Sequence, residues 1–272
     1  MLEVVRDVWN PFMQNLNNSL VSIIMPIYNG EAYIHDAISS VKKQSYDNWE
    51  LIIIDDHSND ASLQIAQKYA EQDERIKVFQ TEMLCSGAAK ARNLGVQYCT
   101  GRYIAFLDCD DYWSANKIQL QIALMKEHNA NFCYGSYAIF SGDVNNLIGE
   151  FRPQSLISYS KLLRGCDIGC LTVMYDSYAL GKHFFPMVDK EDYALWLKIL
   201  KSEHARVVLC ESIIAFYRVS SESLSSNKWR ELVRQYNVYR RVEGIGVLKS
   251  LFYLSCYTCY GLKKHYINYR GK

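Results

Sequence analysis

The sequence predicts an α/β fold: a mostly parallel central sheet flanked by helices, followed by a helical C-terminal extension. Three observations carry this expectation. Short, uninterrupted apolar runs at 21–25, 51–54 and 103–107 have the length and β-branched or aromatic content of strands buried on both faces. Segments with helical periodicity separate them, and a strand, helix, strand order requires a crossover that leaves its two strands parallel. Two of the runs stop at carboxylates, Asp55-Asp56 in one case and Asp108, Asp110 and Asp111 in the other. Ligands bind at such C-terminal strand edges in open α/β sheets.

In chain order, residues 1–20 read as an N-terminal arm, with Asn10-Pro11 and an asparagine-rich passage at 15–18. The strand at 21–25 is ended by Pro26 and the turn pair Asn29-Gly30. Ile34, Ala37, Ile38 and Val41 then mark an amphipathic helix over 31–43. After the strand at 51–54 come a helix at 62–71, a strand at 76–79 and an alanine-rich helix at 87–98, closed by Cys99-Thr100-Gly101 before the strand at 103–107. A helix at 116–128 follows, then strands at 132–140 and 147–151, a short helix at 158–163 and a strand at 171–175. The acidic group Asp189, Glu191, Asp192 opens a helix, residues 207–209 and 213–218 read as a closing pair of strands, and helix resumes from Lys228.

Composition excludes several classes. Thirty basic against 29 acidic residues leave a net charge of +1, so there is no global field for nucleic acid. Nine cysteines lie scattered without a paired framework and no secretory leader precedes them, which favours a reducing compartment, the cytoplasm by default. Cys256 and Cys259 form a lone CxxC whose apolar and tyrosine neighbours suggest packing. The longest uncharged apolar run, 250–262, falls short of the ~20 residues a spanning helix needs. No GxGxxG follows the first strand, which argues against a dinucleotide oxidoreductase.

Two acidic constellations are candidates for chemistry. Asp108 and Asp110 converge on one hard cation if the extended backbone persists to Asp110, although a polar turn accounts for the same residues. Asp189, Glu191 and Asp192 suit either a catalytic role or the capping of a helix N-terminus.

Residues 21–30, 49–58, 87–93, 101–113 and 191–197 resemble, in order and spacing, the family 2 nucleotide-sugar glycosyltransferases, which have an A-type nucleotide-diphospho-sugar transferase fold and an inverting mechanism. The part from Gly169 through the Leu195-Trp196-Leu197 helix is similar to bacterial surface-polysaccharide transferases of the O-antigen and teichuronic acid type. The resemblance implies a catalytic domain over 21–220, with a donor half at about 21–113 and an acceptor half at about 114–220. It implies that Pro26 and Tyr28 border the nucleotide base, that Asp56, with Asp55 beside it, accepts a hydrogen bond from uracil, and that Lys90 and Arg92 support the donor. Arg92 reads equally well as a structural salt-bridge partner. Asp108 and Asp110 stand at the DxD motif, Asp108 near ribose or metal and Asp110 on Mn²⁺ or Mg²⁺ at the diphosphate, and Asp192 matches the catalytic base with Glu191 placing it. The implied reaction moves a hexose, from UDP-glucose or UDP-galactose first, to a lipid-diphosphate-linked acceptor of undecaprenyl type, forming a β-linkage. Ser86-Gly87 replaces the family's Gly-Gly pair, which leaves the donor-loop geometry open. A non-catalytic nucleotide-binding or scaffold protein is the rival reading; a processive synthase is disfavoured because spanning helices are absent.

The extension at 221–272 interleaves basic residues with tyrosines. Such helices lie at a bilayer surface or pack on the catalytic domain, and a lipid-linked acceptor favours the first, peripheral on the cytoplasmic face of the inner membrane.

Overall fold

The apolar runs alternate between two cores in the structure, a computed structural model that describes residues 19–153, 156–219 and 228–268. The expected N-terminal arm lies almost wholly outside these residues. The first half is β1 (Val21–Ile27), α1 (Ile34–Lys42), β2 (Trp49–Asp55), α2 (Ser62–Gln72), β3 (Ile76–Gln80), α3 (Ala88–Tyr98) and β4 (Tyr103–Phe106). Val21, Ile23, Met25 and Ile27 pack with Ile34, Ala37, Ile38 and Val41 of α1, whereas Ile24, between them in sequence, joins Ile52, Ile54, Phe106 and Val96 in the second core. Side chains alternate across a strand, so burial on both faces demands an unbroken apolar run.

These strands form the parallel block β3-β2-β1-β4. β1 continues through Pro26 instead of ending there. Its pairing with β4 stops at Ile24, whose carbonyl accepts from Leu107 N–H. Residues two apart face the same neighbour, so the N–H that Pro26 lacks would point to the side where β4 has already ended. The sheet opens at that point.

The second half adds β5 (Tyr112–Trp113), α4 (Lys117–Glu127), β6 (Phe132–Phe140), β7 (Leu147–Phe151), α5 (Tyr159–Leu162), β8 (Met174–Asp176), α6 (Ser177–Leu180), α7 (Glu191–Leu200) and β9 (Val207–Arg218). The described strands complete one sheet, β3-β2-β1-β4-β8-β6-β9-β5, with β7 beside β6. Beyond β4 the sheet turns mixed: β8 is antiparallel to β4 and β6, β6 is parallel to β9, and β5 is antiparallel to β9. β5, at the end of the expected donor half, therefore pairs with the last strand of the acceptor half.

Two local expectations are corrected. The strand at 171–175 divides into a 3₁₀ turn, Cys170–Thr172, and the short β8. The closing pair of strands at 207–209 and 213–218 is one continuous strand, β9, with a bulge at Glu211-Ser212 where its register on β6 slips between Gly135 and Tyr137. Gly135 permits that approach, since a Cβ there would lie 2.8 Å from the Cys210 carbonyl oxygen.

The C-terminal helices are α8 (Lys228–Asn237), a π-helical segment Val238–Val242 and α9 (Val247–Asn268). They are docked on the domain. Val238 and Tyr239 are buried in the second core, Tyr239 Oη donates to the Leu163 carbonyl (2.7 Å), and Tyr253 and Leu254 of α9 pack against the same core. Cys256 is half-buried, Cys259 is exposed, and all nine cysteines are free. Among the described residues, no helix is long and apolar enough to cross a membrane.

Candidate active site

The opened edge of β1 forms a hollow of about 340 Å³ lined by Pro26, Tyr28, Asp56, Arg92, Asp108 and Asp110, among others. Each comes from the C-terminal end of a strand or from the first turns of α3, as the parallel block requires. Tyr28 is about half exposed there. Gly30 lets the loop after β1 close onto the acidic turn, since a Cβ would lie 2.7 Å from Cys109 Sγ.

Asp56 anchors the loop leading to α3. Its Oδ1 accepts from Thr81 Oγ1 (2.7 Å), Ser86 N–H (2.9 Å) and Ser86 Oγ (2.6 Å), and its Oδ2 from Gly87 N–H (2.7 Å). Burial opposes its charge, but the donors from Ser86, Thr81 and Gly87 outweigh burial and hold its pKa below the usual carboxylate range. Ser86 therefore has a definite task where the family has glycine. Gly87, at φ 88°, keeps the conformation that precedes α3. Asp55 is fully buried and accepts from Ser58 N–H and Gln80 Nε2, so it braces the turn after β2 and does not line the hollow.

After β4 the chain turns, with Asp111 N–H donating to the Asp108 carbonyl (3.1 Å). The extended backbone does not persist to Asp110, yet Asp108 and Asp110 both reach the hollow through the turn. Turn and site are thus the same object. Burial, then the Asp108 charge, raises the Asp110 pKa; burial together with Asp108 and Asp110 raises that of Asp111 well above the ordinary value. Asp111 is a brace: its Oδ1 accepts from Arg218 N–H (3.0 Å), and Arg218 Nε donates to the Asp110 carbonyl (2.9 Å), tying the end of β9 to the turn.

Arg92 connects the opened edge of the sheet to α7. Its side chain is 7% exposed and bridges Asp108 Oδ1 (2.6 Å) and Glu191 Oε1 (3.0 Å). Burial works against this charge, but Asp108 and Glu191 hold the guanidinium ionised. Both readings of Arg92 therefore meet in one residue that lines the hollow and spans two carboxylates. Lys90, two residues earlier on α3, is exposed and lines a separate hollow with Thr81, Met83 and Asn93; the structure does not bring it to the site. Asp192 lies half-buried in the first turn of α7, with Oδ1 accepting from Tyr193 N–H (2.6 Å). Burial, then the charge of Glu191, raises its pKa, against the lowering effects of Tyr193 N–H and Arg92.

The residue before this turn was not legible as part of the site. Lys190 is left-handed (φ 60°), an uncommon conformation for a residue with a side chain, and its Nζ donates to Tyr257 Oη (2.9 Å) and Gln235 Oε1 (3.2 Å). The C-terminal helices thus fix the start of α7. Only the neighbouring Asp189, Glu191 and Asp192 offered a sequence signal.

The donor chemistry at the acidic turn fits a hard divalent cation. Asp108 and Asp110 are crowded oxygen donors whose mutual repulsion a cation relieves. Cys109, between them, has its thiol pKa pushed up to about 12 by burial and the flanking acids. Among the described residues, no three His, Cys, Asp or Glu side chains converge as a ready-made metal set, so a cation here would draw remaining ligands from substrate or solvent.

Comparison with known proteins agrees with this geometry. The chain is 45% identical to the UDP-Glc:alpha-D-GlcNAc-diphosphoundecaprenol beta-1,3-glucosyltransferase WfgD of Escherichia coli, over 94% of this chain and 99% of that one. It is 40% identical to WfaP of the same species, which bears the same activity name, over 93% and 98% of the two chains. The putative teichuronic acid biosynthesis glycosyltransferase TuaG of Bacillus subtilis is 37% identical over 90% and 97%. Among solved structures, S. aureus TarS 1–349 in complex with UDP-GlcNAc superposes with a TM-score of 0.66 at 21% identity, covering 90% of this chain and 72% of that one. That likeness supports the A-type transferase fold. The sequence model of glycosyl transferase family 2 matches residues 22–183, the stretch that carries the hollow, the acidic turn and Arg92, and the chain belongs to that family.

Proposed function

We propose that this glycosyltransferase moves glucose from UDP-glucose to a sugar hydroxyl of a GlcNAc-diphospho-lipid of undecaprenyl type, forming a β-linkage during assembly of a bacterial surface polysaccharide. The observation that carries the reading is the 45% identity, over nearly the whole of both chains, to an enzyme named for that donor and acceptor. In this reading Pro26 and Tyr28 flank the uracil. Asp56 accepts the uracil N–H on Oδ2, which holds one protein donor against three on Oδ1 and keeps accepting capacity. Asp108 and Asp110 would hold Mn²⁺ or Mg²⁺, whose charge, when bound, stabilises the departing diphosphate.

The chain's own residues supply the rest. Asp192 takes the proton from the acceptor hydroxyl as that oxygen bonds to the anomeric carbon. The bond from that carbon to the diphosphate oxygen breaks on the opposite face, its electron pair leaves with UDP, and the α-linked donor becomes a β-glycoside. Burial and the Glu191 charge make Asp192 a stronger base than an ordinary aspartate. Arg92 holds Glu191 and Asp108 in place beside it.

Membrane contact belongs to the same proposal. Tyr253, Leu254, Tyr257 and Tyr260 turn α9 toward the domain, while Val247, Leu248, Leu251, Phe252 and Leu262 lie exposed along its other side. An apolar helical face of this kind can lie in the headgroup region, which would place the enzyme peripherally on the cytoplasmic face of the inner membrane. The test is a transfer assay with UDP-glucose, UDP-galactose and UDP-GlcNAc on a GlcNAc-diphospho-lipid. UDP-glucose should give the fastest product formation, and faster transfer from another donor would overturn the assignment.

A further inference from the structure

A second hollow, of about 650 Å³, lies between the start of α3, residues 187–191 and the C-terminal helical segments, which contribute Arg234 and Arg241. It shares Gly87 and Ala88 with the donor hollow and reaches Glu191, the neighbour of Asp192. Its lining carries Lys190, Arg234 and Arg241 against Asp189 and Glu191, and Glu191 is held by Arg92. Arg234 is paired with Glu231 (2.7 Å) and Asp189 (3.6 Å), and Lys190 with Glu231 (3.3 Å), so the nearby acids are shared by two cations. Exposed Arg241 has no carboxylate within pairing distance among the described residues. The start of α3 borders the hollow without a side-chain cap from Gly87, whose N–H is held by Asp56. Met187, 57% exposed, and Val188 line the same hollow.

We propose that this hollow receives the diphosphate of the lipid-linked acceptor, with Arg241 as its charge partner and Met187 and Val188 beside the first carbons of the lipid. The inference rests on the acceptor class proposed above. A diphosphate ester needs guanidinium and N–H donors, and a lipid needs apolar surface next to them; the second hollow offers both. The donor diphosphate is a different case, since the acidic turn calls for a cation between protein and phosphate. An acceptor held by its diphosphate here has its sugar beside Glu191 and Asp192, where the base stands.

The test is calorimetric binding of GlcNAc-diphospho-decane and of the uncharged decyl GlcNAc glycoside to the full chain, without donor, in wild type, Arg241→Gln and Arg241→Lys. Wild type should prefer the diphosphate by about tenfold, Arg241→Gln should lose most of that preference, and Arg241→Lys should recover part of it. Equal affinities in wild type and Arg241→Gln, or equal weakening toward both glycosides, would overturn the assignment. UDP-glucose binding separates the two sources of diphosphate: a loss there in Arg241→Gln, with acceptor affinity intact, gives the hollow to the donor. Binding is read without turnover, so a wild type that binds the diphosphate yet makes no product contradicts the proposed transfer and not this site.

Discussion

Replacing Arg92 with methionine keeps the length of the side chain and removes the one guanidinium that joins Asp108 to Glu191. The wild-type contacts are 2.6 and 3.0 Å, and the side chain is 7% exposed, against 35% for Asp108 and 26% for Glu191. Removing one partner of a fully buried ion pair costs about 3–5 kcal/mol. Both carboxylates here keep some water, which recovers part of that loss, so roughly 2–3 kcal/mol is expected. For a chain of this size that corresponds to a fall in melting temperature of roughly 4–5 °C at neutral pH. Arg92 also lowers the pKa of Asp110 and of Asp192. Without it both rise further, and the acid limb of the activity profile moves to higher pH. Arg92→Lys should rescue little, because one ammonium cannot span both carboxylates as the guanidinium does. Thermal melts with pH–rate profiles of the three proteins decide the matter; a melting temperature within about 2 °C of wild type, with an unmoved acid limb, would refute the bridging role.

Other outcomes follow from the same contacts. Glu191 raises the pKa of Asp192, so Glu191→Gln should shift the acid limb to lower pH, and a shift upward would contradict that coupling. Chelation should abolish transfer, with Mn²⁺ or Mg²⁺ restoring it; full activity in chelator would count against a cation at Asp108 and Asp110. Lys117 is fully buried over the Trp113 ring, its Nζ donates to Gln121 Oε1 (2.5 Å), and burial pushes its pKa down to about 7. The unfolded chain keeps that proton up to the ordinary lysine range and the folded chain releases it above about 7, so this destabilisation eases as pH rises from about 7 toward 10. Lys117→Met should flatten the slope and stabilise most at or below neutral pH, and urea midpoints that track pH as in wild type would rule this out. Leu248→Glu with Phe252→Glu should reduce sedimentation with anionic vesicles; unchanged binding would exclude α9 as the docking face. These point variants are better suited than truncation after Lys249, which would also remove Tyr253 and Leu254 from the core.

The donor half was legible because its strands are buried on both faces, which forces unbroken apolar runs and leaves the site residues directly after them. Asp56, Asp108 and Asp110 stand out in this way, Pro26 and Tyr28 enter only through the family resemblance, and all five reach one hollow. Within that set, period decides between neighbours. Lys90 and Arg92 are two apart on a helix and cannot share a face, and Asp55 and Asp56 are adjacent at a strand end and point oppositely. Only one of each pair lines the hollow. Glu211-Ser212 imitated a turn because a bulge and a turn use the same polar residues. The tasks of Arg218, Lys190 and Asp111 were hidden for another reason: each depends on contacts between residues far apart in the chain. No local pattern announces that Tyr257 holds Lys190, or that Asp111 receives the backbone of Arg218.

The central claim is inverting transfer with Asp192 as the base, and the most direct measurement compares wild type with Asp192→Asn for UDP-glucose affinity and for the product formed on a GlcNAc-diphospho-lipid. Wild type should yield a β-glucoside, and Asp192→Asn should bind UDP-glucose as wild type does while transfer falls by about 10²–10⁴-fold. An α-glucoside product, or near-normal turnover in Asp192→Asn, would contradict the account.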